Sequence, residues 1–153
     1  MAFSVLVFYF SGGGHTKQMA ESVAEGLREA GREAVLKPAE EVSVADLKDA
    51  AALAVGTPTY FSNIAWPVKK VIDESIALYG EGGGYALKGR PCAIFTSSVT
   101  EPDARDCIQA LELTFGRHHQ MKLLPSVIGL DRQPEDEKRA RCLALGRSLA
   151  EAL

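Results

Sequence analysis

At 153 residues and 46% apolar composition, the chain is long enough to bury one good core and too short for two comfortable ones, so one domain over residues 1–153 is expected. A formal charge of -3, carried without a basic block, leaves no electrostatic footprint for nucleic acid or anionic lipid. No apolar run reaches the about 18 residues needed to span a bilayer, and the opening MAFSVLVFYFSGGG has neither a cationic leader region nor a small-residue cleavage site, so the chain reads as cytoplasmic.

In chain order, the apolar run Phe3 to Phe10 predicts a buried first strand. A helix follows from about Gly14 to Ala30, with Met19, Val23, Leu27 and Ala30 forming one apolar stripe and Gly31 standing where a C' glycine stops a helix. Glu33 to Lys37 is the second strand, and only a short helix is expected between Val42 and Asp49, where Val44 and Leu47 are the apolar contacts. The third strand spans about Ala51 to Val55, and Ile64, Val68, Val71, Ile72 and Ile76 then make a helical stripe. The fourth strand spans about Pro91 to Thr96, followed by a helix striped with Ala104, Cys107, Ile108, Leu111 and Phe115. Met121 to Ile128 should be the fifth strand; Pro125 interrupts it, and proline is tolerated mainly at sheet edges, so it belongs at an edge. Cys142, Leu145, Leu149 and Leu153 mark the last helix. Strands alternating with helices in this way call for a parallel sheet covered on both faces.

The three cysteines are widely separated and form no CxxC pair, so they read as buried thiols rather than zinc ligands or a redox pair. His118 and His119 close a helix C-terminus, where such residues are favourable without metal, and no metal site is expected. The glycine-rich stretch Tyr79 to Pro91 reads as a surface loop before the fourth strand, with a lid over a ligand as the alternative.

Chemistry is expected at the carboxyl ends of the strands. At the end of the first strand, SGGGHT (Ser11 to Thr16) places three glycines before a helix start. Backbone N–H groups can converge there with two flanking hydroxyls and a positive dipole end, a combination that suits phosphate. A P-loop would need a lysine after the last glycine, where this chain has His15 and Thr16. A dinucleotide fingerprint would need an acid near the end of the second strand, where Leu36, Lys37 and Pro38 stand. A receiver domain would need a phosphoacceptor aspartate that neither Ser11 nor Thr57 supplies. A glycine-rich turn without ligand is the remaining structural alternative.

The stretch VLVFYFSGGGHTKQMAESVAEGL resembles the first strand, phosphate loop and first helix of the flavodoxin-like family. The family loop S/T-x-T-G-x-T falls on Ser11, Gly12, Gly13, Gly14, His15 and Thr16, with Gly13 where a hydroxyl is usual. The Gly14-His15 pair also resembles the loop of the flavodoxin-like NAD(P)H:quinone oxidoreductases. VGTPTYFSNIAWPVKKVID is similar to the segment that passes beside the flavin ring, matching at Gly56, Thr57, Pro58, Thr59, Tyr60, Lys69 and Asp73, with Ser62 in place of a glycine. Thr57-Pro58-Thr59 reads as an extended turn, and Tyr60 and Phe61 offer ring faces to a planar ligand or, alternatively, pack at a helix entry. FTSSVTEP places Thr96, Ser97, Ser98 and Val99 at the family's position for the pyrimidine edge of the ring.

The resemblance implies an α/β fold, a three-layer αβα sandwich with a five-stranded parallel sheet of order 2-1-3-4-5, binding FMN non-covalently. FMN is expected over FAD because the first loop would enclose a terminal phosphate. The flavin would carry the redox chemistry, with no side chain required as acid or base. Two roles follow: an FMN-dependent oxidoreductase passing electrons from NAD(P)H to a small quinone-like acceptor, or an electron carrier docking to a redox partner protein. A flavin-free binding or regulatory domain that retains the fold is the alternative from another class.

Overall fold

The computed structural model describes residues 4–153; Phe3, which opens the expected first strand, lies outside them. In chain order the elements are β1 (Val5–Tyr9), α1 (His15–Glu29), β2 (Ala34–Pro38), α2 (Val44–Asp49), β3 (Ala52–Tyr60), β4 (Asn63–Ile64), α3 (Trp66–Glu74), α4 (Gly80–Gly83), β5 (Pro91–Ser98), α5 (Glu101–Glu112), β6 (Lys122–Leu123), β7 (Val127–Leu130) and α6 (Glu135–Glu151). The sheet runs β2-β1-β3-β5, with β6 and β7 both parallel to β5 on its outer side. This is the expected order, with the strand read as fourth now β5. The fifth strand is divided in two: Lys122 and Leu123 pair with Pro91 and Cys92, then pairing resumes at Val127, on either side of Leu124-Pro125-Ser126. Proline has no N–H to give a ladder, so the edge breaks there.

Two apolar layers enclose the sheet. Val5, Val7 and Phe95 face α1 and α6 with Val23, Leu27 and Leu149, while Leu6, Phe8 and Ile94 face the other side with Val68, Leu111 and Phe115. Alternation along β1 therefore feeds both cores, and all five of its residues are buried. Helix α1 ends as expected: Gly31 has φ +81°, its N–H bonds to Arg28 O, and Arg32 N–H bonds to Leu27 O, the paired bonds of a Schellman stop. Ala30, expected in the buried stripe, is the cap residue and is exposed.

Four further expectations change. Ile64, read into the stripe of the third helix, falls in β4, and Leu153, read into the last helix, lies beyond α6 and is exposed. Ile76 was placed on the buried stripe of α3, but the chain tightens into a 3-10 turn over Ser75–Leu78. With about 3.0 residues per turn rather than 3.6, Leu78 goes inward and Ile76 is left exposed. The third strand also does not end at Val55 in a turn at Thr57-Pro58-Thr59. It continues to Tyr60, then reverses through Phe61 and Ser62 (φ +50° and +61°) to pair with β4. Pro58 is accommodated near the end of the ladder, opposite Ser97.

The three cysteines are buried free thiols. Burial pushes the Cys142 thiol up to about 12 and raises Cys92 and Cys107 as well, so all three stay protonated and pack as small apolar groups. The Tyr79 to Pro91 segment, which includes α4, meets the amino end of β5. Gly89 N–H bonds to Gln120 O, and the Arg90 guanidinium bonds to Lys48 O and Ala50 O. That is the end of the sheet opposite the strand termini where ligands collect, so the surface-loop reading holds and the lid reading does not.

His119 is buried, with Nε2 2.9 Å from Ser75 Oγ and Nδ1 without a partner. Ser75 donates to Ile72 O, so it accepts from Nε2–H and Nδ1 is the bare acceptor. Desolvation, with His118 adding repulsion, holds the imidazole below its ordinary value of 6.5. Between the unfolded value and that lower folded value the unfolded chain binds the extra proton, so stability is intact above about pH 6.5 and falls as pH drops. We expect the melting temperature to decline from pH 7 to pH 5, and His119→Gln to flatten that decline; an unchanged slope would assign it to other groups.

Candidate functional site

The carboxyl ends of β1, β3 and β5 are neighbours in the sheet, and the chain leaves β1 toward β2 on one side while β3 lies on the other. A crevice opens at such a switch point. It is a cleft of about 140 Å³ lined by Ser11, Gly12, Gly13, His15 and Thr16 from the β1–α1 loop, Pro58, Thr59 and Tyr60 from β3, Ser97, Ser98 and Val99 from β5 and its loop, and Asp131 after β7.

The loop after β1 is built around Gly14, which takes φ +100° just before α1. Only glycine adopts that conformation without cost. Its N–H bonds to Ser11 Oγ at 3.0 Å, closing the loop on itself while leaving the Ser11 hydroxyl hydrogen free to donate outward. Gln18 N–H returns to Gly14 O, so the N–H groups of the preceding first turn have no helical acceptor. The first turn carries no acid, whereas those of α5 and α6 carry Glu101 and Asp103, and Glu135, Asp136 and Glu137. Within that turn nothing offsets its positive dipole end; the acid at the cleft is Asp131, after β7, and among the described residues no lysine or arginine lines it. Attraction for an anion comes from backbone amides and hydroxyls.

Hydrogen-bond partners decide which hydroxyls remain available. Thr16 Oγ1 and Ser97 Oγ are 2.7 Å apart and buried, joining the start of α1 to the end of β5. One hydroxyl donates to the other, so the pair keeps one hydrogen for a ligand. Thr96 lies beneath the cleft with no exposed surface; it donates to Thr57 O and accepts from Thr59, which uses up both donors. Ser98 donates to Thr100 O. Thr57 donates to Pro58 O and accepts from Ala65 N–H, fastening the entry of α3. Among the described residues of the three loops, the side-chain hydroxyl hydrogens left for a ligand are those of Ser11, of the Thr16–Ser97 pair and of Tyr60, whose hydroxyl lies over Gly12.

Of the residues expected at the site, the structure gathers eleven around the cleft. Gly14 shapes the loop without lining it, Thr96 supports it from below, and Phe61 stands fully exposed at the tip of the β3–β4 turn. Tyr60 is 45% exposed with its hydroxyl over Gly12, where a Cβ would collide with it. Ser62, placed where a glycine is usual, does adopt positive φ, and its hydroxyl donates to Asp103 at 2.6 Å. Asp103 also accepts from Thr100, and the two hydroxyls hold its carboxyl below the usual range. The turn is thereby tied to α5. Asp131 escaped the sequence reading; its place just after the apolar run of β7 was the available signal, since residues following strand ends face the crevice. Glu101 pairs with Arg105 one helical turn on and does not line the cleft.

A family profile described as "Flavodoxin domain" matches residues 6–129. A flavodoxin of Aquifex aeolicus is 34% identical over 96% of this chain and 85% of its own length. A protein of Methylocella silvestris named NAD(P)H dehydrogenase (quinone) is 35% identical over 63% of this chain, and this match spans 57% of that protein, little more than half of its length. Among solved structures, a flavodoxin from the domain Archaea superposes with a TM-score of 0.83 at 25% identity, covering 97% of each chain.

Proposed function

This chain belongs to the flavodoxin family, and from that premise we propose that it is a redox protein that binds FMN non-covalently in the cleft at the ends of β1, β3 and β5. The observation that carries this reading is the Ser11 to Thr16 loop, whose free amides, two spare hydroxyl hydrogens and acid-free helix start fit a terminal phosphate. The cleft continues from that loop to Pro58, Thr59, Tyr60, Ser98 and Val99, a set suited to the edges and one face of a planar ring. Bound there, FMN supplies acceptance and release of electrons, and the protein supplies position and dipoles. In this reading the loop fixes the phosphate and the β3 and β5 loop amides orient the ring. The Ser62–Asp103 bond keeps the β3–β4 turn at its rim.

Between the two roles, the fold favours transfer to a partner. The one segment that offered a wall for a small-substrate pocket, Tyr79 to Pro91, is fastened at the other end of the sheet. Phe61 and Val99, at 103% and 71% exposure, leave an apolar rim by the cleft where a partner protein can approach. NAD(P)H-dependent reduction of a quinone-like acceptor is the second reading, supported by the name of the Methylocella relative.

An absorbance spectrum and an FMN titration followed by flavin fluorescence test the proposal, with saturable one-to-one quenching as the expected result. A protein that leaves FMN fluorescence unchanged would end it. Steady NAD(P)H consumption with a quinone and no added reductase would move the role from carrier to enzyme. The loop also predicts a gain. Gly13 has ordinary backbone geometry, and a Cβ added there would meet nothing closer than His15 Cδ2 at 3.9 Å. Gly13→Thr, which adds a hydroxyl donor to an anion, should tighten FMN by about threefold to tenfold, short of the full worth of a charged hydrogen bond because the longer side chain must be ordered. Unchanged or weaker binding would mean that the phosphate does not sit against residue 13.

A further inference from the structure

The face of α3 turned away from the sheet carries two large apolar side chains and an ordered run of charge. Val68 and Val71 are buried beneath it, whereas Trp66 and Ile76 stand 72% and 67% exposed, with Lys69, Lys70, Asp73 and Glu74 between them. The 3-10 turn over Ser75–Leu78 brings Ile76 into line with Trp66 and Asp73. With steps of about 100° per residue in the α-helix and about 120° in the 3-10 turn, the three lie within roughly 40° around the helix axis. Trp66 and Ile76 are each five positions from Val71, and Lys69 and Asp73 are each two, so Val71 is the midpoint of the stripe. Turned end for end about that midpoint, Trp66 falls opposite Ile76 and Lys69 opposite Asp73. Lys70 and Glu74 repeat the charge order one position on. A twofold interface is one patch facing itself, and it requires this kind of self-complementarity. We propose that the chain pairs with a second copy of itself through α3, the two helices antiparallel, with Trp66 against Ile76 of the partner subunit and Lys69 against Asp73 of the partner subunit.

The direction of the charges is an independent observation. Within one helix, an acid four residues before a base is the better order, and cations are favoured toward the C-terminus, where the dipole end is negative. Glu101 and Arg105 on α5 follow that order, and α6 opens on three acids. On α3 the order is reversed, with Lys69 pairing to Asp73 and Lys70 to Glu74. Laid antiparallel on its copy, α3 sets its lysine-bearing half beside the acid-bearing half of the other chain and opposes the two dipoles. An order that is unfavourable in one chain thereby becomes favourable in the pair. Both ion pairs within α3 are exposed, and such pairs stabilise weakly, so the same groups can be shared across the twofold axis at little cost. Tryptophan is among the residues that dominate interface energetics, and Trp66 enters the contact twice by symmetry. One helix face is small beside the about 1,200–2,000 Å² of a stable interface, so the pairing should be weak and dependent on concentration. The inference stands apart from the flavin reading and needs no cofactor.

Sedimentation velocity over about 5 to 500 µM protein in about 0.15 M salt tests the pairing. The unaltered protein should pass from monomer toward dimer within that range. Trp66→Ser should weaken the association by about tenfold or more. Lys69→Asp and Asp73→Lys each set like charges opposite one another twice per dimer, and each alone should pair at least about tenfold more weakly than the unaltered protein. Mixed in equal amounts, these two single variants should recover the dimer, because in the mixed pair both contacts join opposite charges. Thermal transitions check that each variant is folded, and should Trp66→Ser not fold, the two charge variants and their mixture carry the test. Unaltered protein that remains monomeric to about 500 µM would overturn the inference. So would a dimer that none of the three changes weakens, which another surface would have to hold, or a mixture that pairs no better than its separate components.

Discussion

Ser11→Ala is expected to weaken FMN binding by about 10- to 100-fold, the equivalent of roughly one hydrogen bond to a charged group. Its hydroxyl has two tasks: Oγ accepts the Gly14 N–H and so closes the loop, and its hydrogen is left free for the phosphate. Thr16→Ala should cost less, about tenfold or below. The reason is its partner: once the Thr16 hydroxyl is gone, Ser97 no longer has an internal acceptor and can turn its own hydrogen to the ligand. Thr16→Ser keeps both hydroxyls and should bind almost as the unaltered protein does. The double change Ser11→Ala/Thr16→Ala should bind more weakly than either single change, and adding Ser97→Ala more weakly still, leaving the loop amides and the Tyr60 hydroxyl as donors. Flavin fluorescence titration reads all of these. If the double variant folds and binds FMN unchanged, the loop does not hold the phosphate and the assignment falls.

The largest expected effect on stability lies between α1 and α6. Gly26 on one helix and Gly146 on the other sit at the closest approach of the pair. A Cβ at Gly146 would run into Val23 O and come within 2.9 Å of Leu27 N and 3.1 Å of Gly26 Cα; one at Gly26 would meet the backbone of Leu143. These neighbours are main chain, so relief requires moving a whole helix. Alanine gains about 1 kcal/mol in helix propensity over glycine, and overpacking costs about 1–3 kcal/mol or more. With backbone as the obstacle the second term wins. We expect Gly146→Ala to destabilise by about 1–2 kcal/mol net, lowering the melting temperature by roughly 2–8 °C. Gly82→Ala, at an exposed position where an added Cβ meets nothing within 4 Å, should leave the transition in place. A Gly146→Ala protein as stable as the original would show that the two helices are free to separate.

How far the sequence could be read depends on the range of the forces at each position. Periodicity is local: each apolar residue in the stripes of α1 and α5 declares its face through neighbours three and four positions away, and Met19, Val23, Leu27, Cys107 and Leu111 are all buried. Gly31 likewise announces the end of α1, since only residues 27 to 32 take part in that stop. The reading failed where the local helix changed pitch, at Ile76, and where a strand outran its apolar run, from Gly56 to Tyr60. Propensity reports neither, because packing of the next element against the sheet decides them.

By itself, the sequence determined the alternation of strands and helices, the sheet order through the family it resembles, and the three loops that converge at the carboxyl ends. Tertiary structure alone decided what those loops have to offer. Whether a hydroxyl can serve a ligand depends on whether a neighbour has already taken its hydrogen, and the deciding neighbours are distant in sequence: Ser97 lies 81 residues from Thr16, and Thr96 lies 37 from Thr59. The same holds for the approach of Gly26 to Gly146 and for a hollow beside Lys138, which exist because α1 and α6 pack side by side on one face of the sheet. Local pattern sets the faces of the elements; hydrogen-bond supply, close contact and empty volume are set by which faces meet.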